Sequence, residues 1–272
     1  MTSATTIEAV YPLSPMQQGM LFHSLRAPDA MYYVVQTKCT LPGNLDVDAF
    51  RRAWQRLVSR HPVLRTAFST AGRMSQTVLR GVSVPLAIED WRRLSDGERE
   101  ERMVAWLRAG RELSLDLSTT PLMQLHLAHA GDSYEFLWSY HHALLDGWST
   151  ALLLRELVSY YRAFCAGTDL DLPAPRPYRD YVDWLLRQDR AAAEAYWKEL
   201  LNGFAEPTPL PFAARSGTQR SHGRSERSIA LTPAEMDALR TAARRHRVTL
   251  NVMVQGAYAL LLGEHEIGRA HV

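Results

Sequence analysis

The sequence predicts an α/β (α+β) protein of two lobes, on three observations. From the N-terminus to about residue 165, short alternating runs of the strand type interleave with amphipathic helical runs. A proline-rich stretch, AGTDLDLPAPRPY at residues 166–178, then breaks both patterns and reads as a linker. Beyond it helical runs dominate, so a second lobe follows the first.

The elements follow in chain order. Ser14 and Pro15 supply a cap and first turn for a helix with Met16, Met20 and Leu21 on one face. VVQTKCTL, from Val34, alternates as a half-buried strand does and ends at Pro42 and Gly43. Asp46 caps a helix whose apolar stripe is Phe50, Trp54, Leu57 and Val58. His61 and Pro62 end it, and LRTAF resumes as an extended segment. Gly72 and Gly81 punctuate two short strands, and a helix over residues 95–110 turns Met103, Val104 and Leu107 inward. LMQLHLAH and YEFLWSYHH, joined by Ala130-Gly131-Asp132, read as a hairpin. The second of these strands runs into a loop and then an apolar helix from Trp148 to Phe164.

After the linker, one helix is expected from about Tyr178 to Leu201, followed by a loose stretch over residues 202–225. A short strand SIAL then precedes two helices, the last a buried one from Leu250 to Leu262. The expected organisation is a tail or docking element at 1–10, a first lobe at 11–165 and a linker at 166–177. A partial second lobe occupies 178–265, and EIGRAHV at 266–272 matches the translation of a sequencing adapter and is expected to be an artefact.

Composition narrows the function classes. The chain has 272 residues, 46% hydrophobic and 22% charged, the proportions of a folded globular protein. Its 31 basic and 29 acidic residues are dispersed, which argues against a nucleic-acid partner. No run approaches the roughly 18 apolar residues of a membrane span, and the N-terminus lacks a signal-peptide pattern. Cys39 and Cys165 lie far apart without metal or redox spacing, so a cytoplasmic location is expected.

Chemistry concentrates in SYHHALLDGWST, residues 139–150. Strand side chains alternate, so His141 and His142 point to opposite faces and only one can meet a cleft. A histidine at a cleft is suited to taking a proton near neutral pH. Asp146 could orient a ring or pair with a cation, and Gly147 permits a tight turn or a close backbone approach. Trp148 opens a helix whose first amides favour negative charge. No metal is expected: His126 and His129, on the neighbouring strand, are three apart and point to opposite faces.

Four motifs in order carry a resemblance. Residues 141–147 read HHxxxDG and continue into Trp148 and Ser149; residues 60–68 read RHxxLRTxF; residues 178–184 read YxDYxxW. The fourth is the opening YPLSPMQQGMLFHSL from Tyr11. In these the chain resembles condensation domains of nonribosomal peptide synthetases and their relatives among acyl-CoA-dependent acyltransferases. The opening motif is similar to that of domains taking a D-configured donor.

The resemblance implies a chloramphenicol-acetyltransferase-like two-lobed acyltransferase fold with its site at the lobe interface. The family's later motifs are absent here, so an incomplete second lobe with exposed apolar helices is expected. The implied reaction is amide formation, in which the amine of an aminoacyl thioester attacks the thioester of a donor. Its partners are upstream and downstream peptidyl carrier proteins, which present both thioesters on phosphopantetheine arms. The chain itself binds no cofactor, and the donor is delivered by a synthetase ending in an epimerisation domain. His142 takes the amine proton or holds the amine, and the amides of Gly147 and Trp148, with Ser149 beside them, are oxyanion candidates. Asp146 is expected to pair with Arg65, because a buried carboxylate needs a partner. His141 is then structural; Tyr178, Asp180 and Trp184 pack at the lobe junction; Ser14, Gln17 and His23 line the tunnel. An epimerisation domain and a non-catalytic docking fragment are the competing readings.

Overall fold

The computed structural model describes residues 6–27, 32–70, 72, 74–114, 116–204 and 229–264. The chain divides into two compact units, Met1–Gln188 and Asp189–Val272.

The first unit holds two sheets. In the larger, β2 (Val34–Pro42), β7 (Ser133–His141), β6 (Met123–His129) and β5 (Leu86–Asp90) lie side by side in that order. β7 is antiparallel to both its neighbours, and β5 runs parallel to β6. Parallel neighbours need a crossover, which α3 (Asp96–Arg111) supplies. In the smaller sheet, β4 (Ser75–Arg80) lies between β1 (Thr6–Pro12) and β3 (Thr66–Ser69), antiparallel to each.

Alternation along β7 sorts its residues onto two faces. Phe136, Trp138 and Tyr140 join the main core with α2 (Val47–Arg60) and α4 (Gly147–Cys165), whereas Leu137 joins Trp91, Met103 and Trp106 around α3. The α2 stripe is as the spacing predicts: Phe50, Trp54, Leu57 and Val58 are all buried. Trp54 sits edge-on to Trp138 with ring centroids 5.0 Å apart, and Phe50 meets Phe136 at 5.3 Å. Removing a ring from such a cluster costs about 3–5 kcal/mol. Behind the sheet α3 approaches β7 so closely that a Cβ at Gly110 would lie 2.2 Å from Ser139 Oγ. Any larger residue there would have to displace Ser139, at about 1–3 kcal/mol.

Several expectations need correction. Residues 6–10, assigned to a tail or docking element, form most of β1 and pair with β4. Helix α1 (Pro15–Arg26) turns Gln17, Leu21 and Ser24 inward while Met16 is 70% exposed, because buried hydrogen-bond acceptors outweigh the apolar count on that face. On α3 it is Trp106, not Val104, that is buried beside Met103, since its indole has a polar partner in Glu89. The helix expected over 178–201 is two, α5 (Tyr178–Leu186) and α6 (Arg190–Leu200), because Asp189 restarts the helix by capping the Ala192 amide. The sequence places the start of the second lobe at 178, yet α5 belongs to the first unit: Val182 is fully buried against Tyr11 and Val78.

The second unit contains α6, α7 (Pro233–Arg245) and α8 (Leu250–Glu264). Thr232 and Glu235 close a capping box on α7, which packs against α8 and buries Ala243. No strand forms at Ile229–Leu231, where Ile229 is 90% exposed. α8 has no buried residue and exposes Val254, Tyr258 and Leu260, so the expected apolar surface is there and the expected burial is not. EIGRAHV at 266–272, and most of the stretch 202–225, lie outside the described residues.

Candidate active site

β7 ends at His141, and the two histidines then part as strand alternation requires. His141 is fully buried and His142 partly exposed. The Ala143 amide donates to His141 Nδ1 at 3.1 Å, which leaves the ring proton on Nε2 to donate to Ser24 Oγ at 3.3 Å. Burial, with the charge of His142 adding to it, pushes the His141 pKa down to about 4. His141 is thus a neutral ring held between α1 and the loop.

His142 is placed by its main chain. Its amide donates to the Tyr33 carbonyl at 2.7 Å, one rung beyond the last strand pair, Val34 with His141. Tyr33 holds φ at 64°, a left-handed conformation costing a non-glycine residue about 1–2 kcal/mol. Next in the chain, the Ala143 carbonyl accepts from Gln17 Nε2 at 3.1 Å. Among the described residues, His142 Nδ1 is buried without a hydrogen-bond partner. The loop is thus fixed on both sides of His142 while its ring remains uncommitted.

Asp146 caps α4, its Oδ1 accepting from the Ser149 amide at 2.8 Å. That hydrogen bond holds the Asp146 carboxyl below its usual range. Tyr140 and Thr150 exchange a hydroxyl bond at 2.9 Å, tying the first turn of α4 back to β7. The expected pairing of Asp146 with Arg65 does not form. Arg65 bonds Glu8 of β1 and the Leu79 carbonyl, the latter at 2.7 Å. The reason is burial. Asp146 is exposed and needs no cation, whereas the buried Arg65 guanidinium needs a carboxylate, which β1 brings to it.

The remaining site residues separate. Gly147 is the first residue of α4, and a Cβ there would meet nothing within 4 Å, so neither a tight turn nor a close approach demands glycine. Gly147 and Trp148 contribute first-turn amides, which have no intrahelical acceptor. The Ser149 amide is taken by Asp146. The Trp148 side chain is 84% exposed, and His23 is exposed on α1. Ser14 and Gln17, expected to line a tunnel, are buried instead. Ser14 closes a capping box with Gln17 and accepts from the Tyr178 hydroxyl at 3.1 Å. Gln17 also exchanges bonds with Gln76. Of the YxDYxxW motif, Tyr178 and Val182 pack, while Asp180 and Trp184 are exposed.

Sequence reasoning missed Tyr33, Ser24, Gln76, Glu8 and Glu156. Glu156 of α4 accepts from Arg60 Nε at 3.1 Å and pairs with His61 Nε2 at 2.7 Å. Arg60 reaches on to the Leu172 carbonyl at 3.0 Å and to that of Pro173, fastening this proline-rich stretch to the end of α2 within the first unit. The one available signal is a polar residue at helical spacing on an inward face, as at Gln17 and Ser24 on either side of Leu21. No described group of three or more histidine, cysteine or acidic side chains has the geometry of a metal site. No helix of the described residues is long and apolar enough to cross a membrane.

The family model for the condensation domain matches residues 7–269. One protein of the linear gramicidin synthase of Brevibacillus parabrevis is 38% identical over 270 residues, covering 96% of this chain and 4% of that protein. A second protein of the same synthase is 40% identical over 262 residues, covering 95% and 5%. Bacitracin synthase 1 of Bacillus licheniformis is 32% identical over 267 residues, covering 97% and 5%. The chain therefore spans a small part of each of these relatives. Among solved structures, the starter condensation domain of rhizomide synthetase matches with a TM-score of 0.63 at 22% identity, over 74% of this chain and 50% of that one. A four-domain nonribosomal peptide synthetase matches at 0.60 and 18% identity, over 73% and 15%. These likenesses show the fold, and the chloramphenicol-acetyltransferase-like expectation is met over the part they cover.

Proposed function

The chain belongs to the condensation-domain family, and from that premise we propose that it serves amide-bond formation in nonribosomal peptide synthesis. The donor is an acyl or peptidyl thioester and the acceptor an aminoacyl thioester, both carried on the phosphopantetheine arms of carrier proteins. The amine nitrogen attacks the thioester carbonyl, the C–N bond forms and the C–S bond breaks. The thiolate leaves with the proton that the amine gives up, so no oxidant or external reductant is needed.

The observation that carries this reading is the division of labour between the two histidines. His141 is buried, neutral and bonded on both ring nitrogens, whereas His142 is partly exposed with its main chain pinned and its ring free to act. His142 is the group assigned to take the amine proton or to hold the amine in line. The Gly147 and Trp148 amides, with open space beside Gly147, are assigned to the tetrahedral oxyanion. A variant of the rhizomide synthetase starter domain is described in complex with C8-CoA and Leu-SNAC, and we carry over that pairing of donor and aminoacyl acceptor.

The opening motif supports a D-configured donor delivered by an upstream synthetase that ends in an epimerisation domain. A cytoplasmic location accords with that supply. The test incubates the protein with two carrier proteins, one loaded with a donor thioester and one with an aminoacyl thioester, and follows dipeptidyl product by mass spectrometry. Product is expected from the wild type and its loss by at least a hundredfold from His142→Ala. Equal rates for the two would sink the assignment.

A further inference from the structure

We propose that Ser24 is a positioning residue for His142: it fixes the tautomer of His141, and that ring in turn sets the peptide plane from which the His142 side chain projects. This inference rests on His142 being the reacting group. Ser24 lies on the inward face of α1 and is 2% exposed. Serine favours neither a helix interior nor an apolar core, so its burial there calls for a polar partner. That partner is the His141 ring, at 3.3 Å.

The roles along this chain of bonds are forced. A backbone amide can only donate, so His141 Nδ1 accepts from Ala143, at 3.1 Å. His141 is held neutral by burial, so its one ring proton sits on Nε2, and Ser24 Oγ is the acceptor that receives it. With the proton on Nδ1, two donors would face each other and the bond to Ala143 would be lost. That bond bears on the site because the Ala143 amide lies in the same rigid plane as the His142 Cα and carbonyl. The plane on the other side of His142 carries its own amide, held to the Tyr33 carbonyl at 2.7 Å as the next rung of the β2–β7 ladder. Two fixed planes set φ and ψ of His142, and the direction of its Cβ follows. Among the described residues His142 Nδ1 has no hydrogen-bond partner, so nothing at that nitrogen substitutes for the backbone restraint. α1 meets the loop a second time through Gln17, two helical turns before Ser24, which donates to the Ala143 carbonyl at 3.1 Å.

The test varies the acceptor and reads both the tautomer and the rate. Ser24→Ala, Ser24→Thr and Ser24→Cys are assayed for amide formation with loaded carrier proteins. The His141 tautomer is read from imidazole nitrogen NMR shifts, assigned by their loss in His141→Gln, and the Ala143 amide is followed by hydrogen exchange. Ser24→Ala is expected to lower kcat about fivefold or more with KM within twofold, to draw the proton away from Nε2 and to let the Ala143 amide exchange. Ser24→Thr keeps the hydroxyl and is expected within twofold of wild type, with the wild-type nitrogen shifts. A serine that only filled space would leave the tautomer unchanged in Ser24→Ala. That result overturns the proposal, and so does a kcat for Ser24→Ala within twofold of wild type. Should Ser24→Thr not melt cooperatively, Ser24→Cys, close to serine in size and a weak acceptor, takes its place. It is expected between wild type and Ser24→Ala in kcat and in tautomer, and a kcat below that of Ser24→Ala overturns the idea. If the wild type forms no amide yet the tautomer and the Ala143 protection follow the same series, the positioning stands and the reaction assigned to the site fails. If the wild type forms product and the tautomer ignores residue 24, the positioning alone fails.

Discussion

Gln17 reaches from α1 to donate its side-chain amide to the Ala143 carbonyl at 3.1 Å, one residue beyond His142. It is buried, closes the capping box of its own helix and exchanges bonds with Gln76, whose Nε2 donates in turn to the Pro12 carbonyl at 3.0 Å. Replacing it by leucine removes the donor to Gln76 Oε1 and to the Ala143 carbonyl in a buried position, while Gln76 Nε2 keeps the Pro12 carbonyl. We predict that Gln17→Leu loses about 1–3 kcal/mol of stability in urea unfolding. It should also lower kcat for amide formation more than it raises KM.

Arg65 and Asp146 are predicted to be energetically independent. In double-mutant cycles, Arg65→Ala with Asp146→Ala should add to within about 0.5 kcal/mol, as sites without shared partners do. Arg65→Ala with Glu8→Ala should instead show a coupling of about 1 kcal/mol or more, because the two are bonded and Arg65 is buried. Asp146→Ala alone removes a helix cap, worth about 1 kcal/mol, and Asp146→Asn should recover most of it.

Stability should fall on acidification between pH 6.5 and about 4. His141 is held neutral in the fold with its pKa down to about 4, while in the unfolded chain it titrates at the ordinary 6.5. Below 6.5 the unfolded state therefore binds the proton and the folded state does not. The contribution is complete above 6.5 and is lost as the pH drops towards 4, on the order of 3 kcal/mol in all. Burial also lowers the pKa of His126, which adds in the same direction. Urea titrations at steps across this range, with His141→Gln as the comparison, check it. A slope unchanged by that substitution would assign the effect elsewhere.

Glu156→Ala should cost about 1–3 kcal/mol, since it strips both Arg60 and His61 of their half-buried partner. Because Arg60 also holds the carbonyls of Leu172 and Pro173, the same change should speed proteolysis within residues 166–177 while leaving the core strands protected from hydrogen exchange.

Most of the first unit could be read from the chain because period and punctuation agree there. The α2 stripe, the caps at Ser14 and Asp46, and the hairpin of β6 and β7 are all local signals. The two histidines could be separated by strand alternation alone. The partner of Arg65 could not, because that choice depends on which carboxylate a distant strand delivers, and β1 begins among residues that look like a tail. The left-handed turn at Tyr33 was equally hidden, since tyrosine gives no hint of positive φ. α8 misled for the opposite reason: an apolar helix reads as buried whether or not a neighbour covers it.

The contrast in exposure between the adjacent histidines has a practical outcome. His141 has no accessible surface in the folded chain, while His142 has some. An imidazole-acylating reagent applied briefly to the native protein would mark one member of the pair, and a denatured sample would yield both. Peptide mapping of that mark offers a footprint of site occupancy: whatever ligand shelters His142 would erase the only label this pair of residues can carry while folded.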